Sequence, residues 1–225
     1  VNDALALKKA DIGIAMGIVG TDVSKDAADM ILLDDHFASI VRGIREGKTI
    51  FSNLRKFIHY VFTSNASELF TVLYGFLLHI PAPITAIQIL ATDLATDLFP
   101  SFALGVEPEE PRDKSDTSSS RNRRIMDWTG VRRILSLGFL MSTGAVVAFL
   151  LSLVRDGWVF GETLPTDGLV YAKASTAAYI VIALTQMANL LQSRSATTPF
   201  FRMPIFSNPH IWISMAISIF MMIAF

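Results

Sequence analysis

Residues 89–100 read ILATDLATDLFP, a stretch apolar enough to enter a bilayer that nevertheless carries two carboxylates, Asp93 and Asp97. At the centre of a membrane helix each aspartate costs roughly 2.5–3.5 kcal/mol, so the pair costs about 5–7 kcal/mol, and Glu68 in the preceding apolar run adds to that. Something must offset it. Asp93, Thr96 and Asp97 sit at i, i+3 and i+4, and Asn65 and Glu68 in TSNASEL (63–69) at i and i+3, so each set shares a helical face. The connection HIPAP (79–83) is brief and Pro-rich, which makes the two runs an antiparallel hairpin whose polar faces can converge. Two carboxylates about 6 Å apart repel by roughly 3 kcal/mol at an effective dielectric near 20. A cation between them is the simplest resolution, with Thr96 and Asn65 as neutral oxygen donors. Pro100 lacks an N–H and frees the carbonyl of Thr96, which predicts local unwinding beside the acidic pair. The competing readings are a buried hydrogen-bond network with no ion, or the core helix of a soluble protein.

Composition favours the membrane. Of 225 residues 52% are hydrophobic, and the mean hydropathy is +0.46. A net charge of −1 gives no reason to expect a nucleic-acid partner, and four His with no Cys exclude thiolate metal sites and disulfides. Apolar runs of membrane-spanning length fall at about 57–78, 84–104, 131–154 and 172–191; a fifth, 210–225, is too short to cross and reads as a span cut by the end of the chain. The start at Val1, without an initiating Met or a basic leader, likewise reads as cut. Of the 19 Lys and Arg, eight lie in 1–56, seven in 108–133 and two in 193–209, against only Arg155 and Lys173 on the other side. The positive-inside rule therefore expects the first three segments to be cytoplasmic. Trp128, Trp158 and Trp212 lie near span ends, as interfacial anchors would, and His59 reads as an interfacial side chain.

The front of the chain reads as alternating α/β. DIGIAMG (11–17) is a strand ending in Gly, TDVSKDAADM (21–30) a capped helix and ILL (31–33) a second strand, with a helical pattern from Phe37 onward. About 50 residues bury little surface alone, so this is expected to be the closing part of a larger domain. EPEEPRDKSDTSSSRNRR (107–124) reads as a cytoplasmic surface loop, with Ser118 to Ser120 as candidate phosphorylation positions. In LTQMANLLQSRS, Gln186 and Asn189 share a face, either as helix-packing glue or as supporting ligands.

VNDALALKKADIGIAMG (1–17), continuing into TDVSKDAADMILLDDHFASIV and REGKTIFSNLRKFIHYVFTSN, resembles the hinge signature and stalk of P-type cation-transporting ATPases of type II, the calcium and sodium/potassium pumps. The resemblance covers essentially the whole chain. It implies a mainly α, polytopic membrane helix bundle preceded by a partial α/β segment, Rossmann-like and of haloacid dehalogenase type. Residues 1–50 would close the phosphorylation domain and begin the stalk, and 51–225 would be the transmembrane cation-transport domain, helices five to eight and part of nine. The actuator domain, the nucleotide-binding domain, helices one to four and the phosphorylated Asp would lie elsewhere in the same protein.

The resemblance further implies that Asn2 and Asp3 stand beside the aspartyl-phosphate and its Mg²⁺, with ATP as substrate of the intact protein. It implies that Asn65, Glu68, Asp93, Thr96 and Asp97 bind the transported cation, with Gln186 and Asn189 as supporting ligands. Leu5 stands where the family usually has Pro. Calcium pumps commonly carry Asn in place of Asp93 and Glu in place of Gln186. Sodium/potassium pumps share Asp93, Asp97 and Gln186 but usually have an acidic residue at Asn189, so the ion stays open. The expected home is the plasma membrane of a prokaryote, with the lipid bilayer as partner. A non-catalytic pump-like protein and a secondary transporter or channel are the other readings.

Overall fold

The structure, a computed structural model, describes residues 3–109, 125–195, 198–204 and 206–224. The chain divides into two compact units, Val1–Ile50 and Phe51–Phe225. Asn2 and Ser118 to Ser120 lie outside the described residues.

In the first unit α1 (Ala4–Lys9), β1 (Ile14–Met16), α2 (Asp22–Ala27) and β2 (Met30–Leu32) alternate. The strands pair in parallel, Ile14 opposite Met30 and Met16 opposite Leu32, and α2 supplies the crossover that parallel pairing requires. The Thr21 side chain caps α2 by accepting the Ser24 N–H at 3.3 Å, while Asp22 complements the positive end of the helix. Two carboxylates after β2 organise the neighbouring loops. Asp35, in the left-handed conformation at φ 51°, accepts the N–H groups of Ile18 and Val19 at 2.9 and 2.7 Å. Asp34 accepts the Ser39 hydroxyl at 2.6 Å and the His36 N–H at 3.1 Å. These bonds favour the charged forms: the Ser39 hydroxyl chiefly lowers the Asp34 carboxyl below its ordinary range, and the Ile18 amide chiefly lowers Asp35.

The helix α3 (Phe37–Leu77) starts where the sequence pattern turns helical, and it contains most of the first expected span. A turn with His79 at φ 55° leads to Thr85, which forms a capping box with Gln88: the Gln88 N–H donates to Thr85 Oγ1 at 3.2 Å and the Thr85 N–H to Gln88 Oε1 at 2.9 Å. Then come α4 (Ala86–Thr92), π-helical turns over Asp93–Leu98 and α5 (Phe99–Gly105). The unwinding expected here is not found. The chain stays helical and widens instead, with the π turns just before Pro100 accommodating its missing N–H.

Two further helices, α6 (Trp128–Arg155) and α7 (Leu169–Ser193), contain the expected runs 131–154 and 172–191. Among the described residues they are the two that are long and apolar enough to cross a membrane, by length and composition. A shorter apolar helix, α8 (Pro209–Ala224), follows a 3₁₀ turn at Phe200–Arg202.

A core forms between α6 and α7, where fully buried Ala145, Ala174 and Ala178 bring the backbones close and Phe149 meets the Tyr171 ring edge-on at 6.2 Å. Trp158 belongs to this core, only 9% exposed, with its indole N–H on the Glu162 carbonyl at 3.2 Å. It is therefore a packing residue and not the interfacial anchor that its position suggested, whereas Trp128 is exposed. Gly138 of α6 lies against α3: a Cβ there would stand 2.8 Å from the Ala66 Cβ and 3.1 Å from the Ser67 nitrogen.

Gly138→Val is expected to push α6 off α3 at a cost of roughly 1–3 kcal/mol, read as a lower thermal unfolding midpoint. Because Asp35 is held charged below its ordinary range, its contribution is full above about pH 4 and is lost as pH falls through the lowered value. Hydrogen-exchange protection of the Ile18 and Val19 amides should follow that course and should already be absent at neutral pH in Asp35→Ala.

Candidate cation site

The polar groups singled out in the sequence come from α3, the π-helical turns and α7. On α3, helical periodicity buries Ser64, Ser67, Glu68 and Thr71. Ser67 and Thr71 satisfy their hydroxyls on the carbonyls of Ser64 and Ser67, at 2.8 and 2.7 Å, and so carry polarity inside an apolar helix at little cost. Ser64 faces Asp97, and the Glu68 carboxylate lies within electrostatic reach of both Asp93 and Asp97. The hairpin thus brings the three carboxylates into one neighbourhood. Asn65 is not brought in; it is exposed on the neighbouring side of α3.

Along the π turns Asp97 and Thr96 are buried and Asp93 is half-buried. Hydrogen bonds in a π turn span five residues, so a spacing of four no longer stacks two side chains as it does in an α-helix. The Thr96 hydroxyl donates to the Thr92 carbonyl at 2.8 Å and lies 3.4 Å from Asp97 Oδ1. Freed carbonyls in these turns are taken up by neighbours: Tyr60 of α3 donates its hydroxyl to the Thr96 carbonyl, and Ser218 of α8 donates to that of Ala95. The Thr96 carbonyl expected to face an ion is thus engaged by Tyr60.

On α7, Gln186 and Asn189 are both buried, and the Asn189 amide donates to Gln186 Oε1 at 3.3 Å. Among the described residues, the buried atoms without a hydrogen-bond partner include three at this site: Ser64 Oγ, Glu68 Oε1 and Gln186 Nε2. A bare acceptor on a carboxylate is costly to bury and suits a hard cation. Among the described residues no three His, Cys, Asp or Glu side chains close into a ready metal cage, so the acidic groups are neighbours rather than a finished coordination sphere.

Asp3 stands at the N-cap of α1, exposed, with no capping bond from its side chain. The capping role that would make it merely structural is unrealised. Its free carboxylate fits Mg²⁺ as one hard oxygen donor, and supplies only one.

Sequence reasoning missed several groups. Tyr60, Ser218 and the buried Asn53 gave no signal beyond their residue type. Glu107, read as the start of a surface loop, is only 6% exposed and pairs with Arg194. Their one visible sign was a charge immediately after an apolar run.

Residues 81–225 match the family described as cation transporting ATPase, C-terminus. The chain belongs to the P-type cation-transporting ATPases. It is 37% identical to the calcium-transporting ATPase of Bacillus subtilis, over 99% of this chain and 24% of that protein. It is 36% identical to the potassium-transporting ATPase alpha chain 2 of Rattus norvegicus, over 96% of this chain and 23% of that protein. With the sodium/potassium-transporting ATPase subunit alpha of Hydra vulgaris the identity is 46%, over 71% of this chain and 16% of that protein. This P-type ATPase segment therefore spans about a quarter or less of the length of these relatives. The family match and the apolar helices together mark it as an integral membrane segment.

Tyr60→Phe and Ser218→Ala each remove the side-chain donor from a carbonyl of the π turns. Each is expected to cost about 1–3 kcal/mol in thermal or denaturant unfolding of the detergent-solubilised protein.

Proposed function

We propose that this chain is the part of an ATP-driven cation pump that carries the intramembrane cation site and one edge of the phosphorylation site. The observation that carries this reading is the meeting of Glu68 with Asp93 and Asp97 inside apolar helices of a P-type ATPase. Ionisable groups at such depth mark a functional site by default, since burying them is costly and they line ion paths more often than apolar packing would require.

In this reading Glu68, Asp93 and Asp97 supply the charge, and Asn65, Thr96, Gln186 and Asn189 the neutral oxygens. Asn65, exposed on the neighbouring side of α3, is the one of these groups that stands apart from the carboxylates. Cation entry draws the carboxylates together, since the ion removes the repulsion that separates them. The relatives are named for calcium, potassium and sodium/potassium transport, so they support cation transport without selecting one ion.

The parallel β1–α2–β2 unit is read as the closing piece of a Rossmann-like phosphorylation domain in which Asn2 and Asp3 lie beside the phosphoryl group. Mg²⁺ bound there would neutralise charge on the transferring phosphoryl oxygens. Asp3 would contribute one carboxylate oxygen to its coordination. ATP is the substrate of the whole protein, which also supplies the actuator domain, the nucleotide-binding domain and helices one to four. Residues 1–56 and the 108–133 and 193–209 connections are assigned to the cytoplasm on the distribution of Lys and Arg, in a multi-pass protein. The plasma membrane of a prokaryote is the proposed home, in keeping with the Bacillus subtilis relative.

Transport requires the site to bind its ion more tightly in one state than in the other. The test is acid-stable phosphoenzyme formed from labelled ATP by the full-length protein, titrated separately with Ca²⁺, Na⁺, K⁺ and pH. One ion should trigger phosphorylation, and Asp97→Asn should abolish that dependence. Full retention in Asp97→Asn contradicts the site, and no phosphoenzyme from a folded wild type under any condition points to a non-catalytic protein.

A further inference from the structure

Three helix ends and the middle of α3 meet on one buried ion pair away from the acidic cluster. Glu107, two residues past α5, and Arg194, one past α7, are only 6% and 1% exposed. Arg194 Nε and Nη2 donate to Glu107 Oε1 at 2.9 and 2.8 Å. Asn208, immediately before α8, donates Nδ2 to Glu107 Oε2 at 2.7 Å and to the Ala103 carbonyl at 2.8 Å. From α3, Asn53 donates Nδ2 to the backbone carbonyl of Glu107 at 2.7 Å and to that of Gly105 at 3.2 Å.

A buried pair of this kind is a poor source of stability. The desolvation of two charges consumes most of their attraction, and apolar side chains of similar size often serve a fold as well or better. What a charged pair adds is uniqueness. Apolar helices in lipid gain little by choosing one axial offset over another, whereas a fork of N–H donors on one carboxylate oxygen accepts a single offset.

The four elements joined here are those that carry the site. Glu68 is on α3, Asp93, Thr96 and Asp97 precede α5 in the same rod, Gln186 and Asn189 are on α7, and Ser218, which holds the Ala95 carbonyl, is on α8. Glu107 lies ten residues beyond Asp97, past the end of α5.

We propose that the Glu107–Arg194 pair sets the axial register of α3, α5, α7 and α8 and through it the affinity of the cation site. Both are positioning residues, since neither reaches the acidic cluster. The inference rests on the reading that Glu68, Asp93 and Asp97 bind the transported cation.

The test uses purified full-length protein, with cation binding followed by intrinsic tryptophan fluorescence under titration with Ca²⁺, Na⁺ and K⁺, and the thermal midpoint measured in the absence of the binding ion. Glu107→Gln should raise the half-saturating concentration at least about fivefold. Arg194→Lys keeps the charge but loses the fork, and should fall between Glu107→Gln and wild type. The paired Glu107→Leu/Arg194→Met variant should keep the thermal midpoint at or above the wild-type value and still bind weakly. If Glu107→Gln fails to fold, this pair decides the question. Affinity within about twofold of wild type in the apolar pair, or in a folded Glu107→Gln, overturns the inference and leaves the ion pair a stabilising contact only. A wild type with no response to any cation overturns the site reading along with it.

Discussion

A carboxylate inside an apolar helix bundle must be met by other polar groups, and the organisation of Phe51–Phe225 follows from that constraint. Asp97 and Glu68 cannot face lipid, so α3 and the π-helical rod turn their polar faces toward each other. The hydroxyls on these faces are placed for the same reason. Ser67, Thr71, Thr92 and Thr96 return their protons to carbonyls in the preceding turn, or sit where they can, which leaves lone pairs facing inward at no cost in unpaired donors. Tyr60 and Ser218 then close the main-chain deficit of the widened turns from two different helices.

Much of this was legible in the sequence because it depended on the contrast between a residue and its neighbours. Two aspartates in an apolar run stand out wherever they point, and the alternation of strands and helix before Phe37 was read correctly from capping and turn residues. The π-helical turns were not legible. Helical spacing of polar residues does not say whether the backbone bonds close over four residues or five, and Pro100 was compatible with either widening or unwinding. Glu107 and Trp158 were misplaced for a different reason. A charge or an indole at the end of an apolar run has the same local pattern whether it meets water, lipid headgroups or the core, and only the partner decides. For Glu107 that partner, Arg194, is 87 residues away. Asn65 shows the limit of the face argument. Three residues along a helix is close to one turn but not on it, and that difference separates the buried Glu68 from the exposed Asn65.

The two units differ in what holds them. The first has few buried apolar residues, Ala15 and Leu32 among them, and its loops are tied by carboxylates accepting backbone N–H groups. The second is held by close helix packing at Gly138 and the alanines of α6 and α7, with polar bonds both inside, as at Glu107 and Arg194, and at the surface, as at Arg55 and Asp127. The second is accordingly the more sensitive to added volume.

The widened turns between α4 and α5 also give the rod slack. A π turn holds one residue more per hydrogen-bonded ring than the α-helix on either side. Its peptide groups can exchange a fifth-neighbour partner for a fourth-neighbour one by a local step, without breaking the chain or uncoiling it. The surplus residue can thus travel along Asp93–Leu98 as a dislocation travels through a crystal row. The capping box at Thr85 and the bonded main chain at Glu107 lie on either side of that widened stretch.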